Sequence, residues 1–442
     1  MTLLAGAAHL DITPPLGAPM EGYWYARRVS GVIDPLFVHA LVLAVGDSIG
    51  AIVTADLCML PHDWLDESVQ YIQNRSKIPC ANAFIACSHT HTGPITGQLV
   101  SPGKAEQEYR EFVVRRIADV VELARQRLTS VRVGVGERIA PGLAFNRRLL
   151  GAEGKVITFK PDTSAAGVQP AGPVDHHVRV FYVEDSDGHP IAAVVNFGLH
   201  PDTTGGTLIS ADYPGILANT LERMLGGSPE ILFLNGACGD INHLDPHHST
   251  EPYCRDNAIR IGESLAAEAY QATRNPHWIE ATMLKTGREK VMLGVRMASP
   301  EQIESARKIV NARKGEPTMP LARARSLLNV AARPDETIIT EVSAITLGEV
   351  AFVGLPGEMF AAWGLRIHST SPFAFNLVAE LTNDYIGYIP TREAFPQGGY
   401  ETELGQASFA EESAGEKLVD ATQRLLCSLE RGESQSDPKR DN

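Results

Sequence analysis

Two histidines one residue apart, His89 and His91 in the run SHTHTGP (88–94), follow the apolar stretch AFIAC (83–87) and precede a Gly-Pro that ends regular structure. On an extended chain, residues i and i+2 face the same side, so both imidazoles can address one cavity. Similar chemistry recurs elsewhere. Asp56 follows GAIVTA, His200 follows AAVVNFG, Asp240 follows ILFLNGA and Glu358 follows VAFVGL. Each is a metal-ligating or acid/base side chain at or just past the end of a β-branched apolar run. In isolation each is ordinarily a hydrogen-bonded turn residue. Their repetition points to a shared site.

The elements that must position these groups are readable from periodicity. Strand-like runs at 36–45, 50–57, 83–87, 192–198, 231–237, 350–355 and 375–381 alternate with helical patterns at 63–74, 108–128, 255–274, 300–314 and 411–430. This alternation predicts an α/β fold, a mixed β-sheet flanked by helices, whose ligand sites lie at strand carboxyl ends. We expect a single catalytic domain over 1–430, with a helical insert near 298–332 at the pocket mouth or an oligomer contact, and a disordered polar tail over 431–442.

A chain of 442 residues can bury a large core. Its net charge of −14 and its lack of a Lys/Arg-rich block argue against a nucleic-acid or anionic-membrane surface. No stretch is long and uncharged enough to span a bilayer, and MTLLAGAAHLDITPP does not read as a secretion signal. The expected location is cytoplasmic, without integral membrane association. The six cysteines form no CxxC pairs and read as reduced and mainly buried.

Competing motifs fall away. GDSIG (46–50) matches a nucleophile elbow in letters, but a strand follows it directly, so it reads as a hairpin turn with Ser48 in it. HExxH, HxHxDH and the phosphate-binding loop are absent, and GVGERI (134–139) lacks the third glycine of a dinucleotide fingerprint. HLDPHH (243–248) reads as a solvated surface loop.

Taken together, LDITPP, SHTHTGP, FNRR (145–148), VDHHVRVFYVED leading into NFGLHP, LISADYPG, NGACGDIN, GLPGEMF and NDYIGYIPTREAF resemble the catalytic region of the neutral (non-lysosomal) ceramidase family, over roughly residues 9–405. The resemblance implies a zinc-dependent amide hydrolase with one Zn2+ per chain. It implies His89, His200, Glu358 and Tyr388 as the metal ligands, with His91, Arg147 and Tyr400 as catalytic residues. Attack on an N-acyl bond by zinc-bound hydroxide would follow, because zinc lowers the pKa of its water from 15.7 to about 7. His91 is the natural proton shuttle, and Arg147, Tyr400 or His91 can share the oxyanion. Arg147 and Arg148 adjoin, so either can be the functional arginine, with the other a surface charge. Glu358 is also placed to cap the helix that follows it. Asp56, Asp212, Asn235, Asp240 and Asn242 are expected to hold the ligands through hydrogen bonds.

Three departures bear on the substrate. The chain ends soon after its last helix, without the C-terminal β-sandwich of ceramidases proper. It carries Asn242 where they have a serine, and it shows no secretion signal. The expectation is a soluble amide rather than ceramide. A zinc esterase, lactonase or deacetylase, and a catalytically silent binding protein on the same fold, are the alternatives. A homo-oligomer is compatible with the sequence.

Overall fold

The computed structural model of the chain describes residues 2–97, 104–158, 168–246, 253–312, 318–333 and 337–432, with the backbone alone for 104–106. The apolar runs form strands because both of their faces are covered. A large sheet is ordered Glu230–Asn235, Pro190–Phe197, His177–Asp185, Thr129–Ile139, Leu3–Asp11, Phe37–Val45, Ser48–Ala55, Ala83–Cys87, and His277–Trp278 adds to Thr129–Ile139. A smaller sheet contains Leu284–Gly294, Thr337–Leu347, Val350–Gly354 and Phe375–Ala379. Both sheets are mixed. Parallel pairs join Ser48–Ala55 to Ala83–Cys87, Pro190–Phe197 to Glu230–Asn235, and Val350–Gly354 to Phe375–Ala379.

The two sheets face each other across a buried layer that includes Phe84, Phe181, Leu232, Phe352 and Leu377. Helices His62–Ser76 and Lys104–Gln126 cover one half of the large sheet, and Asp212–Leu225 and Arg255–Arg274 cover the other. Ala361–Thr370 and Ala414–Arg431 cover the small sheet. The order is therefore helices, sheet, sheet, helices. The large sheet also curls, so that Glu230–Asn235 at one end contacts Phe37–Val45, Ser48–Ala55 and Ala83–Cys87 at the other. That closure brings distant strand ends together.

Gly46 and Asp47 close the hairpin between Phe37–Val45 and Ser48–Ala55, with Gly46 at φ 58°, so GDSIG is a turn. Ser48 is the first residue of the second strand. The segment expected as a helical insert holds two helices, Pro300–Ala312 and Met319–Ala331, packed on each other. Of the expected tail, residues 433–442 lie outside the described residues. Among the described residues no helix is long and apolar enough to cross a membrane. The helix Asp212–Leu225 was not anticipated, since its first turn contains Pro214 and Gly215.

Candidate metal centre

Three side chains converge beyond the carboxyl ends of three strands. His89 lies two residues past Ala83–Cys87, His200 three past Pro190–Phe197, and Glu358 four past Val350–Gly354. Nε2 of His89 and Nε2 of His200 stand 3.5 and 3.3 Å from Oε2 of Glu358. All three residues are buried. The opposite ring nitrogens are committed: Nδ1 of His89 donates to the Cys58 carbonyl at 2.7 Å, and Nδ1 of His200 to the Cys238 carbonyl at 2.9 Å. This fixes the tautomer that presents each Nε2 lone pair inward. His200 Nε2 and Glu358 Oε2 are buried without a hydrogen-bond partner, which is unfavourable unless another group is held there.

The donor set of two imidazole nitrogens and one carboxylate oxygen suits a catalytic zinc or a related divalent ion. His89 adopts φ 74°, a left-handed backbone unusual for a non-glycine residue. Burial, with Arg147 nearby, pushes His200 down to about 3, so it stays neutral. A second grouping, Cys58, His89 and His91, shares His89. Burial raises the Cys58 thiol, so that set lacks a ready anion.

Tyr388 is in register with Glu358, through the short parallel pairing of Glu358–Met359 with Tyr388–Ile389. Its ring stacks on His200 at 6.5 Å between centroids. Arg147 is buried and donates to Glu401 Oε1 at 3.1 Å, to the Gly239 carbonyl at 2.7 Å and to the Tyr388 hydroxyl at 3.3 Å. Burial opposes its charge, but Tyr400, Tyr388 and Glu401 outweigh that and keep it firmly cationic. Its guanidinium lies 5.1 Å from the Tyr400 ring centroid and 5.6 Å from that of Tyr388. His91 reaches the same place, its Nε2 3.3 Å from Nε2 of His89. Burial and the neighbouring histidines depress its pKa well below 6.5.

The five supporting polar residues act on the loops that carry these groups. Asp56 accepts the Phe37 amide at 3.0 Å. Asn235 spans the curl of the sheet, donating to the Ser88 carbonyl at 3.3 Å and accepting from the Leu199 amide at 3.2 Å. Asp212 binds the amides of Thr203 and Thr204 at 3.0 and 2.9 Å, fixing the turn after His200. Asp240 accepts from Asn146 at 2.7 Å, and Asn242 pairs with Phe145 in the short ladder beside Arg147.

Three expectations need correction. Arg148 is not a surface charge, being 1 % exposed and bound to Glu401 Oε2 at 2.9 Å. The helix Ala361–Thr370 is capped by Asp240, whose Oδ1 accepts the Ala361 amide at 2.8 Å, so Glu358 is not engaged as its cap. His243 and Pro246 are buried, so the described part of HLDPHH is not a solvated loop; His247 and His248 lie outside the described residues.

Sequence reading missed several neighbours. Tyr385 donates to Glu358 Oε1 at 2.9 Å. Glu380 accepts the Cys238 and Met359 amides at 3.0 and 3.1 Å, and burial raises its pKa to about 8. Glu401 joins both arginines. Tyr385 and Glu401 adjoin residues already singled out, and a buried arginine pair demands a carboxylate; Glu380 gave no comparable signal.

A cavity of about 390 Å3 opens beside the cluster. His89, His91, Glu358, Tyr388 and Tyr400 form its reactive end, and Trp24, Met59, Ile338, Ile339, Ile386 and Phe409 its apolar wall. Arg147 stands behind the two tyrosines, off the cavity wall. Asn329 and Val330, from the end of the second insert helix, and Arg333 just beyond it reach the cavity.

No family model matches the chain. Among solved structures it is similar, over its full length, to neutral ceramidase from Pseudomonas aeruginosa, with 18% identity, 77% of that chain covered and a TM-score of 0.76. A ceramidase complexed with C2 matches it with the same identity and coverage and a TM-score of 0.73. The two facing sheets, their helical layers and the strand-end histidines and glutamate thus make up a domain with the fold of the neutral-ceramidase catalytic region.

Proposed function

We propose that this chain is a zinc-dependent hydrolase of N-acyl amides, with His89, His200, Glu358 and Tyr388 as ligands, acting on a molecule smaller than ceramide. The observation that carries the reading is the convergence of two oriented Nε2 atoms on one carboxylate oxygen, 3.3 and 3.5 Å away, beside a cavity that His89 and Glu358 line. When bound there, the ion would supply Lewis acidity toward a carbonyl and a water made acidic enough to attack at neutral pH.

The chain's own residues do the rest. Burial, then Glu358, pushes the Tyr388 hydroxyl well above its ordinary value while Arg147 opposes the rise, so that Arg147 would favour the phenolate form of Tyr388 on a bound cation, the proton leaving to solvent. Arg147 is thus a positioning residue, holding Tyr388 and contributing positive charge behind it. Tyr400 lines the cavity beside Tyr388 and is placed to donate its hydroxyl to a developing oxyanion. His91, neutral and against His89, is placed to carry a proton toward the departing amine. Apolar walls suit an acyl chain, and about 390 Å3 lies toward the lower end of ligand pockets, enough for one short chain and a small amine.

The test is elemental analysis of wild type, His89→Ala and His200→Ala, followed by turnover of short N-acyl amides, esters and lactones. One zinc per wild-type chain, lost in both variants together with amide cleavage, is the expected result. A wild type that neither carries nor takes up a divalent ion refutes it, and ester or lactone turnover without amide turnover reassigns the bond cleaved.

A further inference from the structure

Glu21 is 2 % exposed and lines the cavity next to Cys58, Met59 and Gly97. It follows the two-residue strand Pro19–Met20, and its segment is tied to the SHTHTGP loop. The Glu21 amide donates to the Gly93 carbonyl at 3.2 Å, and the Arg27 guanidinium bonds both the Glu21 carbonyl and, at 2.7 Å, the His91 carbonyl. Arg27 therefore serves the backbone and leaves the carboxylate alone.

The two carboxylate oxygens differ in use. Oε2 accepts the amides of Thr96 and Gly97 at 2.8 and 2.7 Å. Oε1 is buried with no hydrogen-bond partner, and no lysine or arginine among the described residues pairs with the carboxylate. Holding the Thr96–Gly97 turn requires only Oε2. Oε1 is thus a buried acceptor with no partner, in a residue of the cavity wall, and a donor on a bound ligand would satisfy it.

We propose that Glu21 is a specificity-determining residue whose Oε1 accepts a hydrogen bond from a hydroxyl or ammonium group on the substrate, selecting donor-bearing N-acyl compounds over purely apolar ones. The inference rests on the proposed hydrolase activity, though the contact itself needs only the cavity. Discrimination of this kind is strong because a ligand lacking the donor leaves the buried acceptor unpaired. Glu21→Gln inverts the site. The Gln carbonyl oxygen must take the place of Oε2 against two amide donors, so its NH2 then faces the cavity and meets a donor with a donor.

Binding is measured by calorimetry with the full-length protein and three non-hydrolysable octanesulfonamides, of propylamine, ethanolamine and ethylenediamine, which differ only in a terminal methyl, hydroxyl or ammonium. The expected result is that wild type binds one of the donor-bearing probes at least about tenfold more tightly than the propyl probe, and that Glu21→Gln abolishes or reverses the preference. Equal affinities in wild type, or a preference that survives in Glu21→Gln, overturn the proposal. If Glu21→Gln does not fold, Glu21→Asp, which retracts the carboxylate by one methylene, is expected to weaken the same preference, and an unchanged preference again overturns it. Hydrolysis of the matching octanoyl amides is assayed separately. Donor preference without turnover removes the hydrolase reading while keeping the contact, and turnover without donor preference does the reverse.

Discussion

The Tyr385 hydroxyl donates to Oε1 of Glu358 at 2.9 Å and so turns Oε2 toward the two histidines. A ligand carboxylate is only as well aimed as the hydrogen bond on its other oxygen. On the proposed zinc reading, Tyr385→Phe should therefore keep the fold and weaken zinc affinity by roughly 10–100-fold. Competition with a chromogenic chelator measures this, and equal affinities in the two proteins would show that Tyr385 does not orient the ligand.

Much of the site was legible because strand ends advertise themselves. Apolar runs at 83–87 and 350–355 fixed where the chain stops being sheet, and the first titratable residues beyond them are His89 and Glu358. What the sequence could not show is closure. Pro190–Phe197 and Ala83–Cys87 stand near opposite ends of the strand order, and only the curl of the sheet brings His200 to His89. Leu284–Gly294 was unreadable as a strand because Lys285, Arg288, Glu289 and Lys290 interrupt its apolar alternation. Arg148 looked exposed because its partner Glu401 lies 253 residues away.

Gly22 adopts φ +97°, and a Cβ there would lie 2.7 Å from both Cα and Cβ of His91. Gly22→Ala must displace the His91 loop as well as strain its own backbone. On the proposed zinc reading the expected outcome is a fall in kcat with zinc binding weakened but not abolished, since His89 shares the displaced loop whereas His200, Glu358 and Tyr388 are carried by other segments. An unchanged kcat in Gly22→Ala would show that the position of His91 does not govern turnover.

Glu401 is fully buried and holds two buried guanidiniums, those of Arg147 and Arg148. Removing the shared carboxylate strands both charges, so Glu401→Ala should cost roughly 3–5 kcal/mol of stability in urea denaturation. The double change Arg148→Met with Glu401→Gln should cost less than Glu401→Ala alone, because it removes one of the stranded charges. A Glu401→Ala loss under about 1 kcal/mol, the scale of an exposed pair, would mean the network is solvated.

Away from the cavity, Glu230 meets His9 at 2.8 Å and His39 at 3.7 Å, with Arg127 at 3.9 Å. Although the three side chains His9, His39 and Glu230 have the makings of a metal site, the nearby arginine and the direct His9 hydrogen bonds identify an ion-pair cluster. Burial opposes the Glu230 charge, but His39 and His9 prevail and hold its pKa at about 2. The hydrogen bond to Glu230 in turn raises His9 above 6.5, with Glu222 adding to the rise and burial and Arg127 working against it. The signs then set a window. A depressed carboxylate stabilises the fold above its unfolded pKa of about 4.5 and loses that contribution as pH falls toward 2. A raised histidine stabilises below 6.5 and loses its contribution as pH rises through the folded value. The stability difference between wild type and Glu230→Gln should therefore be largest between about pH 4.5 and 6.5 and shrink on both sides. Urea denaturation of the pair at about pH 3, 5.5 and 8.5 reads it directly, and a difference that is the same at all three would show that the cluster is not ionised as described.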